Sequence, residues 1–344
     1  MGYGKGIDGA SSSVGKVLET SLQVNSVSRN AFRIMKQSSA MNKLSTLKMT
    51  KKMFSETDDD AVCIEKDNLK ISFASPTELG AGLKTTTHRL VDALMIKFTE
   101  TGSKEQSVML SLDEYMRLCE LKNTTEMRKQ VNADLKTLRN MRVSFQKSSN
   151  REQSMEDIKL CSEVKIKNNI ICFTFSPEFF IIMKTMPVMP YPEKLFRINL
   201  KKNPNSYYFL KKISEHKKMN YFKKNADTLS VKTLLGCTPE LPSYDEVVNS
   251  DRAVGRRIIE PFERDMNELS DLLRWEYCHS NGTRLTEEEL FNFNYHIFSG
   301  LLIKIKWHNY PELSRKKNKP RPSKPSKPPK TDEAEAEIEE QAAS

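Results

Sequence analysis

The sequence predicts an α+β fold built of two tandem winged helix-turn-helix domains, with disordered N- and C-terminal extensions. Three observations lead there. First, Ser250-Asp-Arg-Ala-Val-Gly-Arg-Arg-Ile-Ile-Glu-Pro-Phe-Glu-Arg-Asp-Met-Asn267 has the spacing of a helix: Val254, Ile258, Phe262 and Met266 make one apolar stripe, and Arg252, Arg256 and Arg257 lie off it. Second, that run follows a short helical segment and a turn, and it precedes an apolar run from Leu272 to Tyr277. Helix, turn, basic helix and strands, in that order, make a winged helix-turn-helix, which lays its second helix in a DNA major groove. Third, a weaker copy of the same order occurs in the first half of the chain.

Composition agrees with a basic, folded protein. The 344 residues carry 38% hydrophobic and 29% charged residues, enough for about two modest cores. The net charge is +10. Residues 315–344 hold 8 Lys/Arg and 6 Asp/Glu, so most of the excess lies on the folded part. A basic folded surface suits nucleic acid or an anionic membrane. The six cysteines (Cys63, Cys119, Cys161, Cys172, Cys237, Cys278) show no C-x-x-C spacing and read as small buried hydrophobes. No secretory signal and no apolar run near 18 residues is evident, which predicts a reducing cytoplasm and no membrane contact. Gly6 stands where a myristoylation signal needs Ser or Thr.

Residues 1–60 are rich in Ser, Gly, Lys and Met and predict a disordered extension ending in Asp58-Asp59-Asp60. The first domain is expected over 61–188. Val62 to Phe73 reads as two short strands around an Asp67-Asn68 turn. A helix then places Leu83, Thr87, Leu90, Leu94 and Phe98 on one face, and Gly102 follows its end. Val108-Met-Leu110 reads as a strand, and Ser111-Leu-Asp-Glu114 has the form of a capping box opening a helix to about Leu121. The next helix runs from Thr124 or Thr125 to about Arg139, with Met127, Val131, Leu135 and Leu138 inward. Met141 to Gln146 begins a strand. Glu163 to Lys167 and Ile170 to Phe175 flank Asn168-Asn169, a hairpin signal because Asn tolerates positive φ; this hairpin is the predicted wing. Ser176-Pro-Glu opens a short helix.

Pro187-Val-Met-Pro-Tyr-Pro192 cannot continue a helix and marks the domain boundary. The second domain is expected over 193–313. It holds a helix from about Pro204 to Met219, a short helix from Ser230 to Leu235 and a loop from Gly236 to Tyr244. The Arg-rich helix follows, then strands near Leu272–Tyr277 and Leu301–Trp307, with a helical turn at Thr286-Glu-Glu-Glu-Leu290 between them. Residues 314–344 form a tail, Lys/Pro-rich and then acidic, expected to be disordered.

A recognition helix buries one stripe and presents Arg or Lys to phosphates and base edges. In the second domain Arg252 and Arg256 share a face and Arg257 is one step around. Any of them can fork onto a guanine or clamp a phosphate. Pro261 in mid-helix predicts a division into a basic forward part and a rear part packed on the strands. In the first domain Thr125, Arg128, Lys129, Asn132 and Lys136 lie off the inner stripe, and Glu126 and Asp134 weaken the positive field there. Lys211, Lys212, Lys217 and Lys218 read as a solvated face.

Catalytic signals are thin, and no cofactor or metal is predicted. Five histidines are present (His88, His216, His279, His296, His308), with no His-x-His pair of the kind a metal-dependent DNA nickase needs beside its nucleophilic Tyr. Tyr207-Tyr208 therefore reads as core. Gly9 to Lys16 imitates a phosphate loop, but five residues separate its glycines and Val17 replaces the Ser or Thr that would hold Mg²⁺.

These segments resemble the theta-type plasmid replication initiators, the tandem winged-helix Rep proteins of bacteria. The likeness runs through Leu195-Phe-Arg-Ile-Asn-Leu200, Ser206-Tyr-Tyr-Phe-Leu210, Leu229 to Gly236 and Arg256 to Asn267. It is looser through Leu110 to Tyr115 and Val131 to Leu138. The resemblance implies sequence-specific binding to direct repeats (iterons) at a plasmid origin, duplex opening, and recruitment of the host replicative helicase or initiator proteins. It implies a homodimer, formed through the first domain for autorepression, in equilibrium with an initiating monomer. It places the recognition helices at Thr125 to Arg139 and Asn249 to Arg264, which adds Asn249 and Arg264 to the candidate DNA-binding residues. The chain departs from the pattern in its N-terminal extension, its tail and the long polar stretch Lys147 to Asp157. The expectation is a non-enzymatic initiator in the bacterial cytoplasm. A winged-helix transcriptional regulator and a rolling-circle nickase are the alternatives.

Overall fold

The structure is a computed structural model. It describes residues 32–37, 39–46, 55–56, 61–66, 68–79, 83–122, 124–145, 155–249 and 253–313. The phosphate-loop imitation at Gly9 to Lys16 and the tail from 314 onward lie outside them.

The described residues open with β1 (Phe32–Lys36), α1 (Ser39–Thr46), β2 (Ser55–Glu56), β3 (Val62–Lys66), β4 (Leu69–Phe73) and α2 (Pro76–Leu79). Then come α3 (Thr85–Glu100), β5 (Ser107–Ser111), α4 (Leu112–Leu118) and α5 (Thr125–Asn140). After β6 (Arg142–Phe145) and β7 (Met155–Lys159), the hairpin β8 (Cys161–Lys167) and β9 (Ile170–Phe175) closes the first winged helix. Its turn residues Asn168 and Asn169 take φ of 51° and 62°, the left-handed region that Asn tolerates. The helix α6 (Pro177–Thr185) starts on Ser176, whose hydroxyl accepts from the Phe179 N–H.

The second half begins with β10 (Val188–Pro192), α7 (Lys194–Arg197) and α8 (Ser206–Asn220). It continues through β11 (Thr228–Ser230), α9 (Val231–Leu235) and α10 (Tyr244–Val248). A π-helical turn at Gly255–Ile259 runs into α11 (Glu260–Asn267). The wing follows as β12 (Leu273–Cys278), α12 (Glu287–Phe291), α13 (Tyr295–Gly300) and β13 (Leu302–Trp307).

The two halves share one plan. In the first, the winged-helix sheet is ordered β5-β9-β8; in the second, β11-β13-β12. Each sheet thus puts the strand between the first two helices at one edge, the last strand in the middle and the first wing strand at the other edge. The first half adds a five-stranded sheet, β2-β3-β4-β6-β7. Residues 155–157 of the long polar stretch belong to its strand β7, so they are sheet and not loop.

Part of the expected N-terminal extension is ordered. Phe32, Met35, Met41 and Leu44 are buried, which removes apolar surface the composition of 1–60 conceals. β1 pairs antiparallel with β10, Phe32 opposite Pro192 and Ile34 opposite Pro190. The expected linker Pro187–Pro192 is therefore mostly a strand. The strand's prolines, Pro190 and Pro192, are two residues apart, so both fall on the side of the strand that need not donate to β1.

The halves also meet in the core. α3 and α8, the first helices of the two winged helices, exchange buried polar contacts, and residues up to Glu312 form one unit. The Lys211 ammonium lies 2.7 Å from both oxygens of Asp92, and the Tyr207 hydroxyl also donates to Asp92. The solvated face expected for Lys211 is wrong at that position, because α8 packs this side against α3. Tyr207 and Tyr208 are fully buried, as their reading as core requires.

Candidate nucleic-acid interface

In the first winged helix the third helix, α5, is capped by Thr124, whose hydroxyl accepts from the Met127 N–H at 3.1 Å. Val131, Leu135 and Leu138 are buried against the domain. Thr125, Lys129, Asn132 and Lys136 are exposed on the opposite side, joined there by Arg139. Arg128 is half-buried and donates to Asn169 Oδ1 at 3.0 Å, so it ties the helix to the tip of the wing. Asn132 donates its amide to the Arg128 carbonyl.

Asp134 does not weaken this face. It is buried and accepts from Thr87 at 2.6 Å, Thr86 at 3.2 Å and Gln130 at 3.0 Å. Burial raises its pKa, and these hydrogen bonds oppose the rise. The outer face of α5 keeps only Glu126 as an exposed acid beside its basic residues. Periodicity could have found this, since Asp134 sits three residues after Val131 and one before Leu135, on the inward stripe.

The expected capping box at α4 does not form, although Ser111 still caps the helix. Ser111 accepts from the Asp113 N–H, while Glu114 turns to Lys97 at 2.8 Å. An opposite charge across the groove outcompetes the backbone N–H for that carboxylate.

In the second winged helix the third helix is the π-helical turn and α11 together. Ile258, Ile259, Phe262 and Met266 are buried, and Arg256 and Arg257 are exposed at the N-terminal end. The Glu260 N–H reaches back five residues to the Gly255 carbonyl. The wider turn ends where Pro261 begins the α-helical part. Proline has no N–H for the carbonyl four residues earlier, so a π-helical turn accommodates it without a break. The predicted division at Pro261 is thus a change of helix type in a continuous helix.

Arg264 is exposed, and its Nε donates to Asp265 Oδ1 at 2.7 Å. Asp265 is itself fully buried and holds the Asn205 N–H and side-chain amide through its other oxygen. Arg264 therefore sits over the junction of α11 and α8. Asn249 is not on the recognition helix: it caps the C-terminus of α10. The loop expected from Gly236 to Tyr244 leads into that extra helix, whose Ser243–Glu246 capping box starts it. Arg252 lies outside the described residues.

Sequence reasoning missed how the wing is attached. Tyr244 of α10 stacks on Tyr295 of α13, with ring centroids 4.3 Å apart and planes 19° apart. This ties the segment before the recognition helix to the wing. Tyr277 of β12 donates to Glu263 of α11 at 3.0 Å, and Trp275 Nε1 donates to Asn267 Oδ1 at 3.1 Å. Among the described residues no helix is long and apolar enough to cross a membrane.

Residues 34–185 match the family model described as Initiator Replication protein, WH1. Among solved structures, the chain is similar to a crystal structure of Pi initiator protein in complex with iteron DNA. The identity is 9%, the match covers 82% of this chain and 98% of that one, and the TM-score is 0.46. It is also similar to a crystal structure of domains 2 and 3 of RctB, at 9% identity over 78% of this chain and 98% of that one, with a TM-score of 0.37. No curated protein matches the sequence.

Proposed function

We propose that this chain, which carries the WH1 domain of the initiator replication proteins over residues 34–185, starts replication of a bacterial plasmid by binding direct repeats in double-stranded DNA. The observation that carries the reading is the repetition of one architecture. Each half has the same sheet order, and each exposes basic residues on its third helix: Lys129, Lys136 and Arg139 in one, Arg256 and Arg257 in the other. Arg256 and Arg257 stand at the end of the helix that enters a major groove first, where contacts to base edges are made. Lys129, Lys136 and Arg139 suit phosphates, which position the protein without reading sequence.

Two such helices in one unit address successive major grooves, about 34–36 Å apart along the duplex. Bound in several copies, the protein would open an adjacent duplex segment and recruit the host helicase or initiator proteins. As a dimer it would repress its own synthesis. All of this takes place in the bacterial cytoplasm and needs binding energy, not bond cleavage. The buried positions of Tyr207 and Tyr208, both with bonded hydroxyls, support that reading over a nickase, since neither ring can reach a phosphate.

Footprinting on the DNA flanking the gene tests the reading. Protection of direct repeats of roughly 20 base pairs is expected from two adjacent grooves. Protection of one short half-site would sink tandem binding. A plasmid carrying only this gene and those repeats should replicate; repression without replication would mean a transcriptional regulator instead.

A further inference from the structure

Two exposed patches of opposite character sit at opposite ends of the second wing sheet. The first is on α12, between β12 and β13. Phe291 is 90% exposed and Leu290 59% exposed, with Glu287 and Glu288 exposed beside them. The helix is firmly held although none of its residues is buried. Thr286 and Glu289 form a reciprocal capping box, and His279 Nε2 lies 3.0 Å from Glu289 Oε2. Phe293, just beyond, packs on Tyr277 at 5.7 Å. Two adjacent apolar side chains held in water by a capped helix, Leu290 and Phe291, make this a candidate contact surface. Its carboxylates repel phosphates, so DNA is not the occupant.

The second patch is at the end of α8. Met219 is 61% exposed and Phe222 50% exposed, followed by exposed Lys223 and Lys224. Tyr221 stacks on Tyr310 at 5.9 Å, just past the Trp307 end of β13. The acidic patch lies at the other end, where Leu302 pairs with Cys278. About 3.3 Å per residue along β13 keeps the two ends apart by roughly 16 Å, so the patches do not meet within one copy.

We propose that the acidic Leu290-Phe291 knob of one copy seats on the basic Met219-Phe222 patch of a second copy of this chain. Each patch offers what the other lacks: apolar side chains at the centre and the opposite charge around them. Because the two patches differ and point to opposite ends, the contact repeats head to tail and generates an open row. Copies on direct repeats all point the same way, which is the arrangement such a contact serves; that use rests on the function proposed above, but the contact itself needs no DNA.

Sedimentation of the full chain without DNA tests it, independently of whether DNA is bound. The weight-average mass should rise with concentration and pass the dimer. Glu287→Lys with Glu288→Lys, or Lys223→Glu with Lys224→Glu, should each weaken association by about tenfold or more, because like charges then face each other. Phe291→Ser should weaken it as well. Mixing the two charge-reversed variants should restore association, an outcome that misfolding cannot mimic. A chain that stays monomeric, a mass that stops at the dimer, variants that associate unchanged, or a mixture that stays dissociated would each overturn the proposal.

Discussion

Lys211 and Asp92 form a buried ion pair 119 residues apart in sequence, with nitrogen 2.7 Å from both carboxylate oxygens and side chains 1% and 2% exposed. The pair joins α8 to α3, and so one winged helix to the other. Tyr207 adds a hydroxyl to the same carboxylate. Such a pair is expensive to break and cheap to replace. Removing one partner strands a charge in the core and costs about 3–5 kcal/mol, whereas an apolar pair of similar volume is close to neutral. Lys211→Met should therefore lower unfolding stability by that amount, and Asp92→Leu combined with Lys211→Met should recover most of it. Urea denaturation measures both. Full stability in Lys211→Met would mean that the pair does not hold the halves together.

His88, one turn before Asp92 on α3, gives the fold an acid sensitivity. Burial, aided by the positive charge of Lys211, lowers its pKa from the ordinary 6.5 to about 3. The folded ring is thus neutral where the unfolded one is charged. Unfolding takes up a proton between pH 6.5 and about 3, so stability falls as pH drops through that window and is unaffected above it. The slope contributed by this one group is about 1.4 kcal/mol per pH unit. In His88→Leu, urea midpoints compared with the parent from pH 4 to 7 should show a shallower fall by that amount. Parallel curves would mean that His88 is protonated in the folded state.

The two recognition helices predict different mutant signatures. Arg256→Ala should cost about 1–3 kcal/mol on the specific repeat and relax discrimination if the side chain reads a base. Lys136→Ala should weaken binding to all duplexes alike and flatten its salt dependence, as loss of a phosphate contact does. Competition binding over a salt series separates the two patterns. No change on replacing Arg256 would remove it from the interface.

How far these sites were legible depends on the range of the interactions that set them. α5, the Asn168-Asn169 hairpin and the strands β12 and β13 follow from local periodicity and turn chemistry, and each lies close to its expected position. The misplacements share a different cause. Lys211 reads as solvated on its own helix, and only the arrival of Asp92 from α3 makes its burial affordable. Pro190 and Pro192 read as a linker until Phe32–Lys36 supplies a partner strand. Asn249 is a separate case: the family resemblance, not the local pattern, put it on the recognition helix, and it ends α10 instead. Long-range pairing is invisible to a window of sequence, and it is what joins the two halves here.

Pro261 gives the last prediction. The π-helical turn before it ends on the bond from the Glu260 N–H to the Gly255 carbonyl, and proline's missing N–H removes the α-helical alternative for the Arg257 carbonyl. With alanine at position 261 that donor returns, and ordinary i to i−4 pairing can run through the whole segment. Rewinding by one residue turns the N-terminal part about 100° around the helix axis relative to the buried stripe. Phe262 and Met266 would keep their places in the core, while Arg256 and Arg257 would turn away and the buried Ile258 and Ile259 would turn with them. Pro261→Ala should therefore lower specific DNA affinity even well below the unfolding midpoint, where simple destabilisation leaves the folded fraction, and so the affinity, unchanged. Unchanged affinity at unchanged stability would show that the π-helical turn does not set the direction of the two arginines.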